Sequence, residues 1–152
     1  MVPACELREG SATFSPMAYW LIKSEPDKYP FEQLVKDKKA VWDGVRNFTA
    51  RNNLREMKEG ELVLFYHSNE GKAAVGVARV LREHYQDPTT DGDFSAVDFA
   101  PVKVLAEPVT LEQMRAMPKL ANLKILKQGR LSVSPVTKVE FDTILAAGKT
   151  KL

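Results

Sequence analysis

The strongest constraint on the fold is a pair of apolar segments that flank one short polar turn. Residues 61–67 alternate two faces along the chain, and this period of two is typical of a β-strand. Residues 68–72 are polar and contain a glycine, and residues 73–85 form a second, longer segment. The pattern predicts a long antiparallel hairpin. Gly76, inside the second strand, predicts a bulge or a close backbone approach.

Shorter elements surround this hairpin, and strands do not alternate steadily with helices. The further predicted strands are 19–24, 94–105 (bent near Pro101) and 131–134, and a short apolar piece covers 40–42. The predicted helices are 31–38, 48–58, 111–117 and 138–147, the last two opened by capping boxes at Thr110 and Thr137. This order favours a mixed α+β domain with a curved or closed sheet.

Helix caps and helix faces follow from the same patterns. Pro30 is predicted at the first position of its helix and Asn47 as the N-cap of the next one. Spacing of three and four residues predicts which side chains these two helices bury. The predicted buried set is Phe31, Leu34, Val35, Phe48, Leu54 and Met57.

Length, charge and cysteine content restrict the class of protein. The 152 residues suit one domain, predicted at 17–152, and the patternless segment 1–16 predicts an extended tail before it. A net charge of +2 argues against wholesale binding of a nucleic-acid backbone. Cys5 is the single cysteine, so no internal disulfide can form, and no apolar run approaches the roughly 20 residues of a membrane span. We predict a monomer without membrane association, cytoplasmic in a bacterium or nuclear in a eukaryote.

A turn that combines an indole, a glycine, a cation and amides follows the apolar piece at 40–42. Its sequence is WDGVRNF over residues 42–48, and three other polar–aromatic clusters resemble it, at 23–26, 66–69 and 128–132. We predict that the four clusters meet around one pocket. Such a pocket suits a flat, uncharged ring with hydrogen-bonding edges.

Each residue type in these clusters has a predicted role toward such a ring. Trp42 or Tyr66 could stack on it, Lys23 and Arg46 could hold a phosphate near the mouth, and polar groups could bind its edges. The edge-binding residues would be Ser24, Asn47, Ser68 and Ser132.

Motifs of familiar catalytic and metal sites are absent from the sequence. It contains two histidines, His67 and His84, and no zinc-ligand spacing, nucleotide-binding glycine loop or GxSxG elbow. We therefore predict no metal, no cofactor and no catalytic residue. Two alternatives stay open: an enzyme acting on a nucleoside or small ring-containing metabolite, with Glu25 or His67 as acid or base, and a protein-interaction adaptor.

Four separated motifs follow one another along the chain: YWLIKSEP at 19–26, WDGVRN at 42–47, GVARV at 76–80 and QGRLSV at 128–133. In this order they resemble the EVE domain family, and the resemblance covers about 17–147. The resemblance implies a PUA-like small β-barrel of five to seven mixed strands flanked by short helices, related to the YTH domain. It also implies a non-enzymatic module that binds nucleic acid carrying a modified base, such as modified cytosine in DNA, or RNA.

The same resemblance implies the residues of a ligand-binding pocket. They are Lys23, Ser24, Glu25, Trp42, Val45, Arg46, Asn47, Tyr66, His67, Ser68, Gln128, Gly129, Arg130 and Ser132. Several also have a purely structural interpretation. Trp42 could be a core anchor, His67 a structural hydrogen-bonding group, and Arg130 a brace for a helix end. Lys23 and Arg46 could be ordinary surface charges.

Overall fold

The computed structural model describes residues 18–25, 29–68, 72–128 and 131–151, and the predicted tail lies outside these ranges. The strands are β1 (Tyr19–Ser24), β2 (Ala40–Trp42), β3 (Leu62–His67), β4 (Ala73–Gln86), β5 (Ser95–Thr110) and β6 (Val133–Val136). The helices are α1 (Phe31–Asp37), α2 (Phe48–Glu56), α3 (Leu111–Arg115), α4 (Lys124–Lys127) and α5 (Lys138–Ala147), with a 3-10 turn at Pro118–Leu120. The predicted α+β class is confirmed.

One mixed sheet contains the six strands of the described ranges, in the order β2-β5-β4-β3-β1-β6. Strands β1 and β3 run parallel, with Lys23 opposite Tyr66 and Ser24 opposite His67. The other neighbouring strands in this order pair antiparallel. Because β1 and β3 are parallel, their carboxyl ends lie at the same end of the sheet.

The predicted hairpin is formed by β3 and β4. The register shifts between Ala74 and Gly76 against both neighbouring strands, and a Cβ added at Gly76 would overlap the ring of Phe31, so both a bulge and a close approach occur. Strand β5 runs five residues beyond its predicted end, because Val109 and Thr110 still pair with the start of β4. The register also shifts beside Pro101, where a bend was predicted.

Two hydrophobic clusters pack against opposite faces of the sheet. The first joins Ile22 and Phe65 to the buried residues of α1 and α2. The second joins Leu21 and Tyr66 to α3, α4 and α5. Alternation along each strand assigns side chains to these faces, so the neighbours Phe65 and Tyr66 belong to different clusters.

The sheet is not closed into a barrel, since β2 and β6 are its edge strands. Strand β2 has three residues, and Pro135 in β6 has no N–H to donate, so neither edge favours further pairing. Helix α2 contacts the edge strand β6 and the start of β5. Asn53 Nδ2 donates to the carbonyl oxygen of Val133 at 2.7 Å, and Arg55 Nε donates to Ser95 Oγ at 2.8 Å.

The predicted N-caps are confirmed. Asn47 accepts a hydrogen bond from Ala50 N at 2.9 Å, and the capping boxes at Thr110 and Thr137 are both complete. Pro30 precedes α1 as its N-cap instead of opening the helix, and α2 ends at Glu56, two residues before its predicted end. None of the helices within the described ranges has the length and apolarity to cross a bilayer.

Two predictions of burial are wrong. Val35 is 42% exposed and Phe48 is 63% exposed. Helix α2 buries the stripe formed by Ala50, Leu54 and the following Met57. Phe48 lies two residues before Ala50, about 200° around the helix from it, and therefore projects away from the core.

Candidate functional site

An open cavity of about 920 Å³ lies where the carboxyl ends of β1 and β3 meet β2 and the turn that follows it. Its lining residues come from five stretches of the chain. They are Lys23, Ser24, Glu25, Tyr29, Asp37, Lys39, Ala40, Val41, Trp42, Asp43, Gly44, Val45, Arg46, Ser68 and Ser132. The four polar–aromatic clusters of the sequence each contribute to this wall.

Backbone hydrogen bonds hold the distant stretches together at the base of the cavity. Ser68 N donates to the carbonyl oxygen of Ser24 at 2.9 Å, which extends the parallel pairing of β1 and β3 by one bond. Lys23 N donates to the carbonyl oxygen of Ser132 at 2.9 Å. Three segments separated from one another by more than 40 residues are thereby held together at the carboxyl ends of β1 and β3.

Trp42 is both a wall of the cavity and part of the first core cluster. Its ring meets Phe65 at 5.7 Å and Phe99 at 5.8 Å between centroids, both edge-to-face, and Tyr29 at 6.1 Å in the same manner. The side chain is half-buried. These contacts fix the orientation of the indole while part of it faces the cavity.

The turn after Trp42 is anchored by Asp87, a buried residue of the loop between β4 and β5. Its carboxylate accepts from Gly44 N at 2.8 Å, from an Nη of Arg46 at 3.0 Å and from Thr89 N at 2.7 Å. Burial by itself would raise the pKa of Asp87, but these hydrogen bonds outweigh it and hold the pKa well below its usual range. Gly44 has a φ of +76°, which the turn requires and which favours glycine.

Tyr29 completes the aromatic side of the cavity. Its hydroxyl donates to Asp37 Oδ2 at 3.0 Å. Burial, and then the hydrogen bond and charge of Asp37, raise the pKa of Tyr29 to about 12, so the hydroxyl stays protonated at neutral pH. Its backbone N donates to the carbonyl oxygen of Glu25 at 2.8 Å, so the bond joins two residues that both line the cavity.

The cavity wall carries charges of both signs. Lys23, Lys39 and Arg46 are cationic, and burial lowers the pKa of Lys23. Carboxylates are contributed by Glu25, Asp37 and Asp43. A mixed wall suits a neutral ligand with both donors and acceptors better than a bare anion. No cluster of three or more His, Cys, Asp or Glu side chains that could hold a metal occurs among the described residues.

The predicted pocket residues separate into those that line the cavity and those that do not. The lining members are Lys23, Ser24, Glu25, Trp42, Val45, Arg46, Ser68 and Ser132. Asn47 caps α2, Tyr66 is buried in the second core cluster on the other face of the sheet, and Gln128 is exposed at the end of α4. Gly129 and Arg130 lie outside the described residues.

Sequence reasoning missed Tyr29 and Asp87. Tyr29 directly precedes the proline before α1, and Asp87 begins the polar run DPTTDGD between two predicted strands, so neither belongs to the four polar–aromatic clusters. The signal available for Asp87 was the Asp-Pro-Thr run, because aspartate commonly hydrogen-bonds the backbone two residues on. Its bond to Thr89 N has that form, but nothing in the run indicates Gly44 as a partner.

His67 does not line the cavity and has a structural hydrogen bond. Its Nε2 accepts from Phe31 N, the first amide of α1, at 3.1 Å. Burial lowers the pKa of His67 below 6.5, against a smaller opposite effect of Glu32. Only the imidazole that is unprotonated at Nε2 can accept this bond.

The pKa of His67 predicts a pH dependence of stability. The pKa is lower in the folded than in the unfolded state, so the contribution is fully present above the unfolded value of about 6.5 and is lost as the pH falls below it. The free energy of unfolding, measured in urea at pH 7.5 and 5.5, is expected to fall less in His67→Gln than in the wild type, because the amide oxygen of Gln accepts without titrating. His84→Gln, at an exposed position, should retain the wild-type difference. Equal pH dependence in all three proteins would contradict the prediction.

Comparison with known families agrees with this architecture. The model of the EVE domain matches residues 18–147. The chain belongs to the EVE domain family. Mouse thymocyte nuclear protein 1 is 33% identical to this EVE domain, over 88% of this chain and 74% of that protein.

Solved structures show the same fold. A protein from Rhodopseudomonas palustris, solved by NMR, is 43% identical with a TM-score of 0.84, over 88% of this chain and 94% of that one. Human THYN1, solved in complex with DNA containing 5-methylcytosine, is 30% identical with a TM-score of 0.81, over 89% of this chain and 99% of that one. The YTH domain of Zygosaccharomyces rouxii MRB1 has a TM-score of 0.57 at 17% identity, a likeness of fold alone.

Proposed function

We propose that this EVE domain binds a modified nucleobase of nucleic acid by holding it in the cavity, without chemical conversion. The observation that carries the proposal is the half-buried indole of Trp42 in the cavity wall, oriented by edge-to-face contacts with Phe65, Phe99 and Tyr29. An aromatic ring held in place in this manner is a stacking surface for a base that has left its own stack.

Size and polarity support a nucleobase as the ligand. The volume of about 920 Å³ is within the range of small-molecule sites, roughly 300–1,000 Å³, and accommodates a base with its sugar. The hydroxyls of Ser24, Ser68 and Ser132 can bind the edges of the ring. Ser24 Oγ donates to the carbonyl oxygen of Tyr29 at 2.6 Å, so its lone pairs can accept from the ligand.

We further propose a cytosine modified at C5, carried by DNA, as the preferred ligand. The human neighbour was solved with DNA containing 5-methylcytosine, and its similarity extends over nearly the whole domain. The apolar side chains of Ala40, Val41 and Val45 could receive a methyl group. The carboxylates of the wall could accept from the exocyclic amino group of cytosine.

The position of His67 argues against His67 as the acid or base of the enzyme alternative, whereas Glu25, the other candidate, lines the cavity. A general acid or base must reach the reacting group of the ligand. The Nε2 of His67 is instead bonded to Phe31 N, and the residue does not line the cavity.

The proposal is tested by measuring affinities for matched short DNA duplexes with cytosine, 5-methylcytosine, 5-hydroxymethylcytosine or N6-methyladenine at one position. Salt is held constant, because backbone contacts alone change affinity with ionic strength. Tighter binding of a C5-modified cytosine is expected, with unchanged DNA recovered after incubation and analysed by mass spectrometry. Equal affinity for all four duplexes would contradict base recognition, and a new nucleoside product would favour an enzyme.

A further inference from the structure

Two phenylalanines and two arginines form a stack that begins at the cavity wall, with Phe48 and Arg46 exposed and Phe94 and Arg51 partly buried. The rings of Phe48 and Phe94 are parallel to within 2° with centroids 5.8 Å apart. The guanidinium carbon of Arg51 lies 4.9 Å from the centroid of Phe48, and that of Arg46 lies 4.9 Å from the centroid of Phe94. We call these four residues the Phe48 column.

Polar contacts hold both arginines of the Phe48 column in place. Arg46 bonds to the buried carboxylate of Asp87 and to Thr89 Oγ1, each at 3.0 Å. Arg51 donates to the carbonyl oxygen of Asp93 at 3.0 Å. The guanidinium groups are therefore fixed before any ligand arrives, which reduces the entropy lost on binding.

The exposure of Phe48 is not explained by packing. It is 63% exposed, whereas the rings of Phe31, Phe65, Phe99 and Phe141 are buried. Parallel stacking on Phe94 orients this ring but leaves most of its surface open to solvent. Aromatic rings flanked by guanidinium groups are the surfaces on which proteins stack unpaired bases.

Arg46 connects the Phe48 column to the cavity. It lines the cavity and also lies over Phe94. A strand that places one nucleotide in the cavity would therefore pass Arg46 before it reaches the two rings. The positive charge of Arg46 complements a phosphate at that point.

We propose that the Phe48 column is a second nucleic-acid contact, which stacks on the nucleobase next to the one held in the cavity. Arg46 contacts the phosphate between the two nucleotides. This inference rests on the proposed function, because the cavity supplies the neighbouring nucleotide. The Phe48 column would therefore contact an oligonucleotide but not a free nucleoside.

The test compares a free nucleoside with an oligonucleotide in wild type and Phe48→Ala. The probes are 5-methyl-2′-deoxycytidine and a short single-stranded oligodeoxynucleotide carrying the same base internally, at constant salt. Phe48→Ala is expected to weaken oligonucleotide binding roughly 5- to 100-fold, the loss of one base–aromatic stack, and to leave nucleoside affinity unchanged. Phe48→Tyr should retain most of the affinity.

Val139→Ala is the matched control, since Val139 is an exposed apolar residue of α5, 58% accessible. It should bind both probes like the wild type. Equal oligonucleotide affinity in Phe48→Ala and the wild type would overturn the inference, as would an equal loss for both probes, because Phe48 would then act through the cavity.

Failure of the proposed function is a separate result. Suppose that the wild type does not discriminate between modified and unmodified oligonucleotides, yet Phe48→Ala loses affinity. That result would support the Phe48 column as a nucleic-acid contact and contradict modified-base recognition by the cavity. A wild type that binds no oligonucleotide would overturn both.

Discussion

Replacing Asp87 with alanine is expected to lower the free energy of unfolding by about 2 kcal/mol, since buried donors would lose a charged acceptor. The carboxylate is inaccessible to solvent and accepts from the backbone of Gly44 and Thr89 and from Arg46. Arg46 is partly exposed and can be solvated again, which limits the loss. Urea unfolding at pH 7 measures the change.

The control for this substitution is Asp93→Ala, which removes a carboxylate paired with Arg51 and Arg55 at an exposed position. A much smaller loss is expected there, because exposed ion pairs contribute little. If Asp87→Ala and Asp93→Ala lost the same stability, the anchoring role of Asp87 would be wrong.

Low pH should reproduce the effect of removing the charge of Asp87. Its pKa is lower in the folded state than the unfolded value of about 3.9, so its contribution is present above that value and is lost as the pH falls below it. Between pH 5 and 2.5 the free energy of unfolding should fall less in Asp87→Asn than in the wild type. Parallel curves would contradict a depressed pKa.

Replacing Trp42 with leucine is expected to weaken binding of modified DNA roughly 5- to 100-fold, the loss of one base–aromatic stack of about 1–3 kcal/mol. Leucine retains an apolar side chain against Phe65 and Phe99 but removes the flat ring. Because the indole is partly core, stability should also fall, by about 1–2 kcal/mol. Affinity for matched duplexes and urea unfolding measure the two effects.

Trp20→Phe separates binding from stability. Trp20 is buried in the same cluster, its Nε1 donates to Glu61 at 2.9 Å, and neither residue lines the cavity. This variant should lose stability and keep its affinity.

Since the sequence has two tryptophans, a bound base should quench fluorescence in Trp20→Phe but not in Trp42→Leu. Unchanged affinity in Trp42→Leu would make Trp42 a packing residue alone.

Several features of this protein were readable from the sequence because they depend on local interactions. Alternation of side chains identified the hairpin of β3 and β4, and the Thr110 and Thr137 motifs identified two helix starts. Three of the four EVE motifs lie where the chain leaves β1, follows β2 and enters β6, and the fourth lies within β4. These places can be located in a sequence because turns and strand ends have their own residue preferences.

Other features depended on contacts between distant parts of the chain. Tyr66 and Trp42 were equal candidates for stacking, and only the packing of the sheet placed Tyr66 in the second core cluster, on the other face. The sequence pattern predicted Phe48 as a core residue, whereas the buried stripe of α2 runs through Ala50 and Leu54.

The sequence by itself determined most of the strands and helices, the family and the segments that surround the cavity, because residue preferences and hydrophobic periods act over a few neighbours. The tertiary structure decided the open sheet, the side of the sheet on which each aromatic ring lies, and the bond from Gly44 to Asp87 across 43 residues. Those outcomes follow from the way two core clusters fill space together, which no local pattern records.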